Sequence, residues 1–151
     1  MDDAVIENLY HASMAGVRVD LIVRGACSLV PGVKGLSENI RVISVVDRFL
    51  EHSRLYYFEN GRALYLSSAD WMPRNFFSRL EIAFPVVHPL LYRYLTEVLI
   101  PTYLQDTTKA RELTPQGTWK KVSVRSQKNA VRSQFIFAEL AHNHYKGTPL
   151  E

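Results

Sequence analysis

The 151-residue sequence has one cysteine, Cys27, so no internal disulfide framework is available to it. Long apolar runs are missing too. None approaches the roughly 20 residues a helix needs to cross a bilayer, and no segment joins a basic stretch to an apolar core and a cleavage site. There is no internal repeat and no low-complexity tract. Glycine is scarce, seven residues in all. The PGVKG loop at 31–35 forms neither a Walker pattern nor a GxGxxG, which removes the common nucleotide-loop signatures. No Ser-His-Asp arrangement is visible, and His142 and His144, with one residue between them in a helical context, lack the spacing of three or four that helix-borne metal ligands prefer. The expectation is a cytoplasmic protein with no transmembrane segment, peripheral membrane association being left open.

What is present suits a soluble globular protein: 47% hydrophobic and 22% charged residues, enough apolar material for a core, in a length that suits a single domain over 1–151. The net charge is only +3. The basic residues nevertheless concentrate late, at Lys109, Arg111, Lys120, Lys121, Arg125, Lys128 and Arg132, which fits either a polyanion or a solvated face.

Val5, Ile6, Leu9, Tyr10 and Ala12 recur at helical spacing and predict a helix from Asp3 to Ala15, stopped at Gly16. Val17 to Val23 reads as a strand running into the interior and ending at Arg24-Gly25, and Ile40 to Val46 as a second strand. A helix followed by a buried strand is half of a βαβ unit. The strand expected before it is absent, which suggests the piece of a larger arrangement. Leu55 to Phe58 and Ala63 to Leu66 flank Asn60-Gly61 and predict a hairpin. Leu80 to Phe84 reads as a short strand, and His88 to Leu104 as a helix with Leu91, Tyr94, Leu95, Val98 and Leu99 on one face. Residues 105–126 read as a polar connection. The terminal helix, 127–146, carries Val131, Phe135, Ala138 and Tyr145 on one side. The pattern is α/β, a mixed β-sheet flanked by helices.

The hairpin organises the polar residues. Pairing its strands brings the start of the first beside the end of the second, so His52 and Arg54 should meet Ser67, Ser68 and Asp70 at one sheet edge. Arg74, Asn75 and Arg79 follow and enrich the same rim. Arg54, Arg74 and Arg79 have no matching local acids, and guanidinium groups with an imidazole suit phosphate oxygens. Arg24, where a strand meets a glycine, should point from the carboxyl end of the sheet, where open α/β sheets bind ligands. Its other reading is a salt bridge to Glu38 or Glu51. Trp71, Met72, Phe76 and Phe77 read as packing, and Cys27 as structural.

The strings VDLIVRGACSLVPGVKGLSENIRVISVVDRFLEHSR and YLSSADWMPRN resemble the C-terminal catalytic domain of bacterial polyphosphate kinases of the first family, and the likeness runs from about Ile6 through the DTTKAR stretch ending at Arg111. That family is similar in fold to phospholipase D. The phospholipase pattern joins a histidine, a spacer and a lysine to a later Gly-Ser-x-Asn turn. Here His52-Ser53-Arg54 has arginine in the lysine position, and Ser67-Ser68-Ala69-Asp70 has serine for glycine and aspartate for asparagine.

The resemblance implies reversible transfer of the ATP γ-phosphate to polyphosphate through a phosphohistidine in a preceding catalytic domain. It implies His52 at the triphosphate as proton donor or charge stabiliser, Arg24 as a nucleotide-phosphate contact and Arg79 as a supporting phosphate arginine. Arg54, Ser67, Ser68, Asp70, Arg74 and Asn75 are expected to support them. Magnesium would come with ATP and be held by the preceding domain, with no metal ligand in this chain. The implied partners are ATP or ADP, polyphosphate and that domain, in a homo-oligomer, with no nucleic acid. By itself the chain should be inactive. The alternatives are a phospholipase D-like phosphodiesterase or nuclease, and a noncatalytic polyanion-binding module.

Overall fold

A computed structural model describes residues 1–122 and 130–145. Helix α1 spans Asp3–Met14. The Asp2 carboxylate accepts from the Ala4 amide at 3.1 Å, and Gly16 takes the left-handed φ of +83° just beyond the helix end. Strand β1 (Val19–Ile22) pairs in parallel with β2 (Ile40–Val45). Beyond β2 lie β6 (Ala110–Leu113) and β7 (Trp119–Lys121), both antiparallel, giving a four-stranded mixed sheet of order β1-β2-β6-β7.

A second sheet is wholly antiparallel and three-stranded: β3 (Leu55–Phe58), β4 (Ala63–Ser67) and β5 (Ala83–Pro85). The sequence suggests one sheet; the chain builds two. Helix α2 is the short Pro73–Phe77. Helix α3 (Pro89–Arg93) continues through a π-helical segment, Tyr94–Leu99, into α4 (Ile100–Leu104). Pro101 has no N–H for the carbonyl one turn back, and a local π turn is one way for a helix to absorb such a defect. Helix α5 is Ser133–Tyr145.

The core explains the order of the first sheet. Leu29, Ile40, Val42 and Leu113 are buried together, with Ile6, Leu9 and Tyr10 of α1 and Val19, Leu21 and Trp119 packed against them. Central β2 is covered on both faces: Val42 and Ile43 are fully buried. Strand β1 is instead a half-exposed edge, not the interior strand that its apolar run predicts.

Other boundaries also move. The connection expected over 105–126 holds β6 and β7. Their sequences AREL and WKK carry too few apolar residues to read as strands, yet β6 buries Ala110 and Leu113. The strand expected over Leu80 to Phe84 begins at Ala83, and Leu80 lies fully exposed. Tyr94, Leu95, Val98 and Leu99 are half-buried as their spacing predicts, but Leu91 of the same face is 57% exposed, and in the last helix Phe135 is 57% exposed with Ala138 also exposed. Helix α5 buries Ser133 and Gln134, and its Phe137 ring meets Tyr103 at 4.9 Å. Met72, Phe76 and Phe77 are exposed rather than packed, while Trp71 stacks on Tyr56 at 5.0 Å. The hairpin turns through Glu59–Arg62, and its left-handed residue is Arg62, φ +45°, rather than Gly61.

Candidate functional site

The register of β3 on β4 sets Leu55 opposite Leu66, and the Ser67 amide donates to the Arg54 carbonyl at 3.0 Å. Arg54, immediately before β3, therefore lies beside the end of β4 and the turn that follows it. Its guanidinium reaches Asp70 through two bonds, Nε to Oδ1 at 2.9 Å and Nη2 to Oδ2 at 3.2 Å. Nη1 donates to the His52 carbonyl at 2.9 Å and lies 2.9 Å from the ring Nδ1. It also lies 3.3 Å from the ring Nε2, so the guanidinium sits against both ring nitrogens, and the tautomer decides which of them accepts. His52 itself is exposed.

Arg24 arrives from the other sheet, just past β1. Its Nη1 donates to the Glu51 carbonyl at 3.0 Å, and its Nη2 lies 3.8 Å from Asp70. The carboxylates of Glu38 and Glu51 are not its partners. His52, Arg24, Arg54 and Asp70 thus meet at one rim, where the edge of one sheet approaches the entrance of the other.

Two acids neutralise part of this rim, and Arg54, expected to lack a local acid, has one in Asp70. The hydrogen bond from Arg54 chiefly, then its charge and those of Arg24 and Arg74, hold the Asp70 carboxyl below its ordinary range. Glu81 accepts from the Ser68 hydroxyl and, at 2.6 Å, from the Asn75 amide; those bonds and the charge of Arg79 lower its pKa. Ser67 caps its own turn by accepting from the Ala69 amide at 3.0 Å. Arg74 and Arg79 are exposed and form no salt bridge among the described residues. The arrangement offers an imidazole and guanidinium donors to an anionic ligand, with the acids tied inward.

Sequence reasoning misses two contributors, Tyr103 and Gln134, and the part Glu51 plays with them. The Glu51 carboxylate accepts from Tyr103 Oη at 2.5 Å and from Gln134 Nε2 at 2.6 Å. Burial first, then the Glu51 bond, pushes the Tyr103 phenol far above its ordinary value, so it remains a donor. No local pattern could have signalled contacts between residues this far apart in the chain.

Elsewhere the basic run dissolves into separate roles. Arg132 donates to Asp47 at 2.7 and 2.8 Å, Lys109 lies 3.6 Å from the same carboxylate, and Arg125 and Lys128 fall outside the described residues. Lys120 and Lys121 line a shallow depression of about 590 Å³ that also presents Glu38, Arg41 and Glu112; its mixed charge suits no polyanion, and it shares no residue with the rim. Burial raises the Cys27 pKa, as for a structural thiol. No helix among the described residues is long and apolar enough to cross a membrane.

The fold is α/β and phospholipase D-like. A family model described as polyphosphate kinase C-terminal domain 2 matches residues 1–134. Over 150 residues the chain is 45% identical to the polyphosphate kinase of Exiguobacterium sp., covering 98% of this chain and 21% of that protein. It is 51% identical over 143 residues to the polyphosphate kinase of Prosthecochloris aestuarii, covering 93% and 20%. The crystal structure of polyphosphate kinase from Porphyromonas gingivalis matches with a TM-score of 0.89 at 41% identity, over 98% of this chain and 23% of that one. The chain belongs to the polyphosphate kinase C-terminal domain family. It spans about a fifth of the length of the curated relatives it matches.

Proposed function

We propose that this domain forms one wall of an ATP and polyphosphate site in a full-length polyphosphate kinase. There the γ-phosphoryl group passes to a histidine of the preceding domain, releasing ADP, and then to a terminal oxygen of polyphosphate, lengthening it by one unit. Phosphoryl transfer has a loose transition state with charge spread over three equatorial oxygens, so catalysis rests on positioned positive charge. In this reading His52 donates a proton or stabilises charge at the triphosphate, Arg24 and Arg79 hold phosphate oxygens, and Arg74 lends charge. Arg54 and Asp70 fix the imidazole; Ser67, Ser68 and Asn75 hold the turn and Glu81 behind it.

The observation that carries the reading is the meeting of Arg24 and Arg54 at the Asp70 carboxylate with the His52 ring against Arg54. Magnesium enters with ATP. The rim carboxylates Asp70 and Glu81 are committed to Arg54, Ser68 and Asn75, so the rim does not fit the metal. The full-length protein is proposed as a cytoplasmic homo-oligomer that needs no nucleic acid. Each of the relatives named above is a polyphosphate kinase.

His52→Ala and Arg24→Ala, each made in the full-length protein, should abolish or severely reduce ATP-dependent polyphosphate synthesis while thermal unfolding stays near wild type. The 151-residue chain alone should make no polymer. Wild-type synthesis by either variant, or turnover by the chain alone, would refute the assignment.

A further inference from the structure

Residues 46–54, which carry Glu51, His52 and Arg54, have no regular secondary structure. Their apolar side chains do not anchor them: Val46 is 68%, Phe49 59% and Leu50 77% exposed. Core packing therefore does not fix where His52 stands. Polar ties from the last third of the chain do. At the start of the segment, Asp47, with its side chain only 3% exposed, is gripped by Arg132 and Lys109. In the middle, Gln134 bonds both ways with Phe49, accepting from its amide at 2.8 Å and donating to its carbonyl at 2.8 Å. At the end, Gln134 and Tyr103 together hold the Glu51 carboxylate.

Glu51 is the junction. Its side chain faces this clasp, its carbonyl receives Arg24, and the next residue is His52. Gln134 is 7% exposed, and the Tyr103 ring rests on Phe137, so both donors are themselves held. Neutral donors bind the carboxylate from behind, which fixes its direction without drawing Arg24 away from the rim.

We infer that Tyr103, Glu51 and Gln134 are positioning residues that set the placement of His52 and Arg24, so that α4 and α5 hold the phosphate rim in register. This rests on the function proposed above. A displacement of about 1 Å at a reacting group can cost on the order of a hundredfold in rate without touching substrate.

The test uses the full-length protein. Tyr103→Phe removes one hydroxyl and keeps the ring. Gln134→Glu sets two carboxylates face to face and an oxygen against the Phe49 carbonyl, and adding Glu51→Gln restores the carboxylate and amide pair in reverse while the donation to Phe49 stays lost. Each single variant should lower kcat at least about tenfold while KM for ATP moves less than about threefold, and the double exchange should recover part of the Gln134→Glu loss, that of the Glu51 contact. Acylation of His52 by diethyl pyrocarbonate, mapped by mass spectrometry, should quicken in the single variants, with His11 and His88 unchanged.

Unchanged kcat with unchanged His52 acylation overturns the inference. So does a loss that follows a fall in Tm, quickens acylation at all three histidines, and resists the double exchange. If His52→Ala keeps wild-type synthesis, the functional reading fails instead, while the acylation rates still report whether the clasp sets the ring.

Discussion

Replacing Arg54 by methionine keeps most of the side-chain stem and deletes the guanidinium, so it isolates the tie to Asp70. A hydrogen bond to a charged group contributes about 1.5–3 kcal/mol when well sheltered, whereas an exposed pair gives about 0–1 kcal/mol. Arg54 is 15% and Asp70 29% exposed, between these limits. With solvent screening, the two bonds together come to about 1.5 kcal/mol, and Arg24 at 3.8 Å remains as a weaker partner. In a chain of this size that lowers Tm by about 3–6 °C.

The sign of the pH dependence follows from Asp70. Its folded pKa lies below the ordinary value of about 3.9. The tie is thus fully stabilising above that value and is lost as pH falls through the lower folded one. Urea denaturation of the 151-residue chain between about pH 7 and pH 3 should show wild type and Arg54→Met converging at the acid end. Combined with Asp70→Asn in a double-mutant cycle, the neutral-pH coupling should be about 1 kcal/mol. A midpoint unchanged by Arg54→Met at neutral pH, or a gap that survives full acidification, would refute the assigned pairing.

Two further substitutions probe the frame around the site. Gly32 has φ +73°, and an added Cβ would stand 3.2 Å from Pro115 Cγ, so Gly32→Ala should cost about 1–2 kcal/mol in urea denaturation. Gly61→Ala, without positive φ or a close contact, should stay within about 0.5 kcal/mol; equal effects at both glycines would refute the strain argument. Asp106 is 1% exposed and accepts from the amides of Thr108, Lys109, Ala110 and Ser133 and from the Ser133 hydroxyl. Asp106→Ala strands these donors and should cost about 3–5 kcal/mol, and a midpoint shift worth less than about 1 kcal/mol would sink that account.

The parts of the site that the sequence discloses are those that local pairing dictates. Once Leu55 and Leu66 are paired, Arg54 must stand beside Ser67 and near Asp70, and His52 follows two residues before it. Arg24 is legible for a similar reason: parallel β1 and β2 end on the same side, and the chain leaves β2 toward His52. The clasp is illegible because Gln134 lies 83 residues from Glu51, and no periodicity joins them. Likewise Asp47 takes up Arg132 and Lys109, so a basic cluster in sequence is partly a set of ion pairs in space. Apolar spacing marks a helix face without saying whether this chain covers it, and exposed Leu91 and Phe135 show the difference.

Two of the three departures from the phospholipase D pattern, arginine for lysine at 54 and aspartate for asparagine at 70, are one change in the structure. Arg54 binds Asp70 through two nitrogens and meets the His52 ring with the third. A lysine presents one nitrogen on a flexible stem, so it could not hold a carboxylate by two parallel bonds while also fixing an imidazole. Aspartate in turn supplies the two acceptors and the negative charge that an asparagine lacks. The exchanged pair is internally neutral and rigid, which leaves Arg24, Arg74 and Arg79 as the cations with charge to spare. A rim built this way commits its central arginine to holding histidine and turn together, and any anion that binds must be met chiefly by the arginines around it.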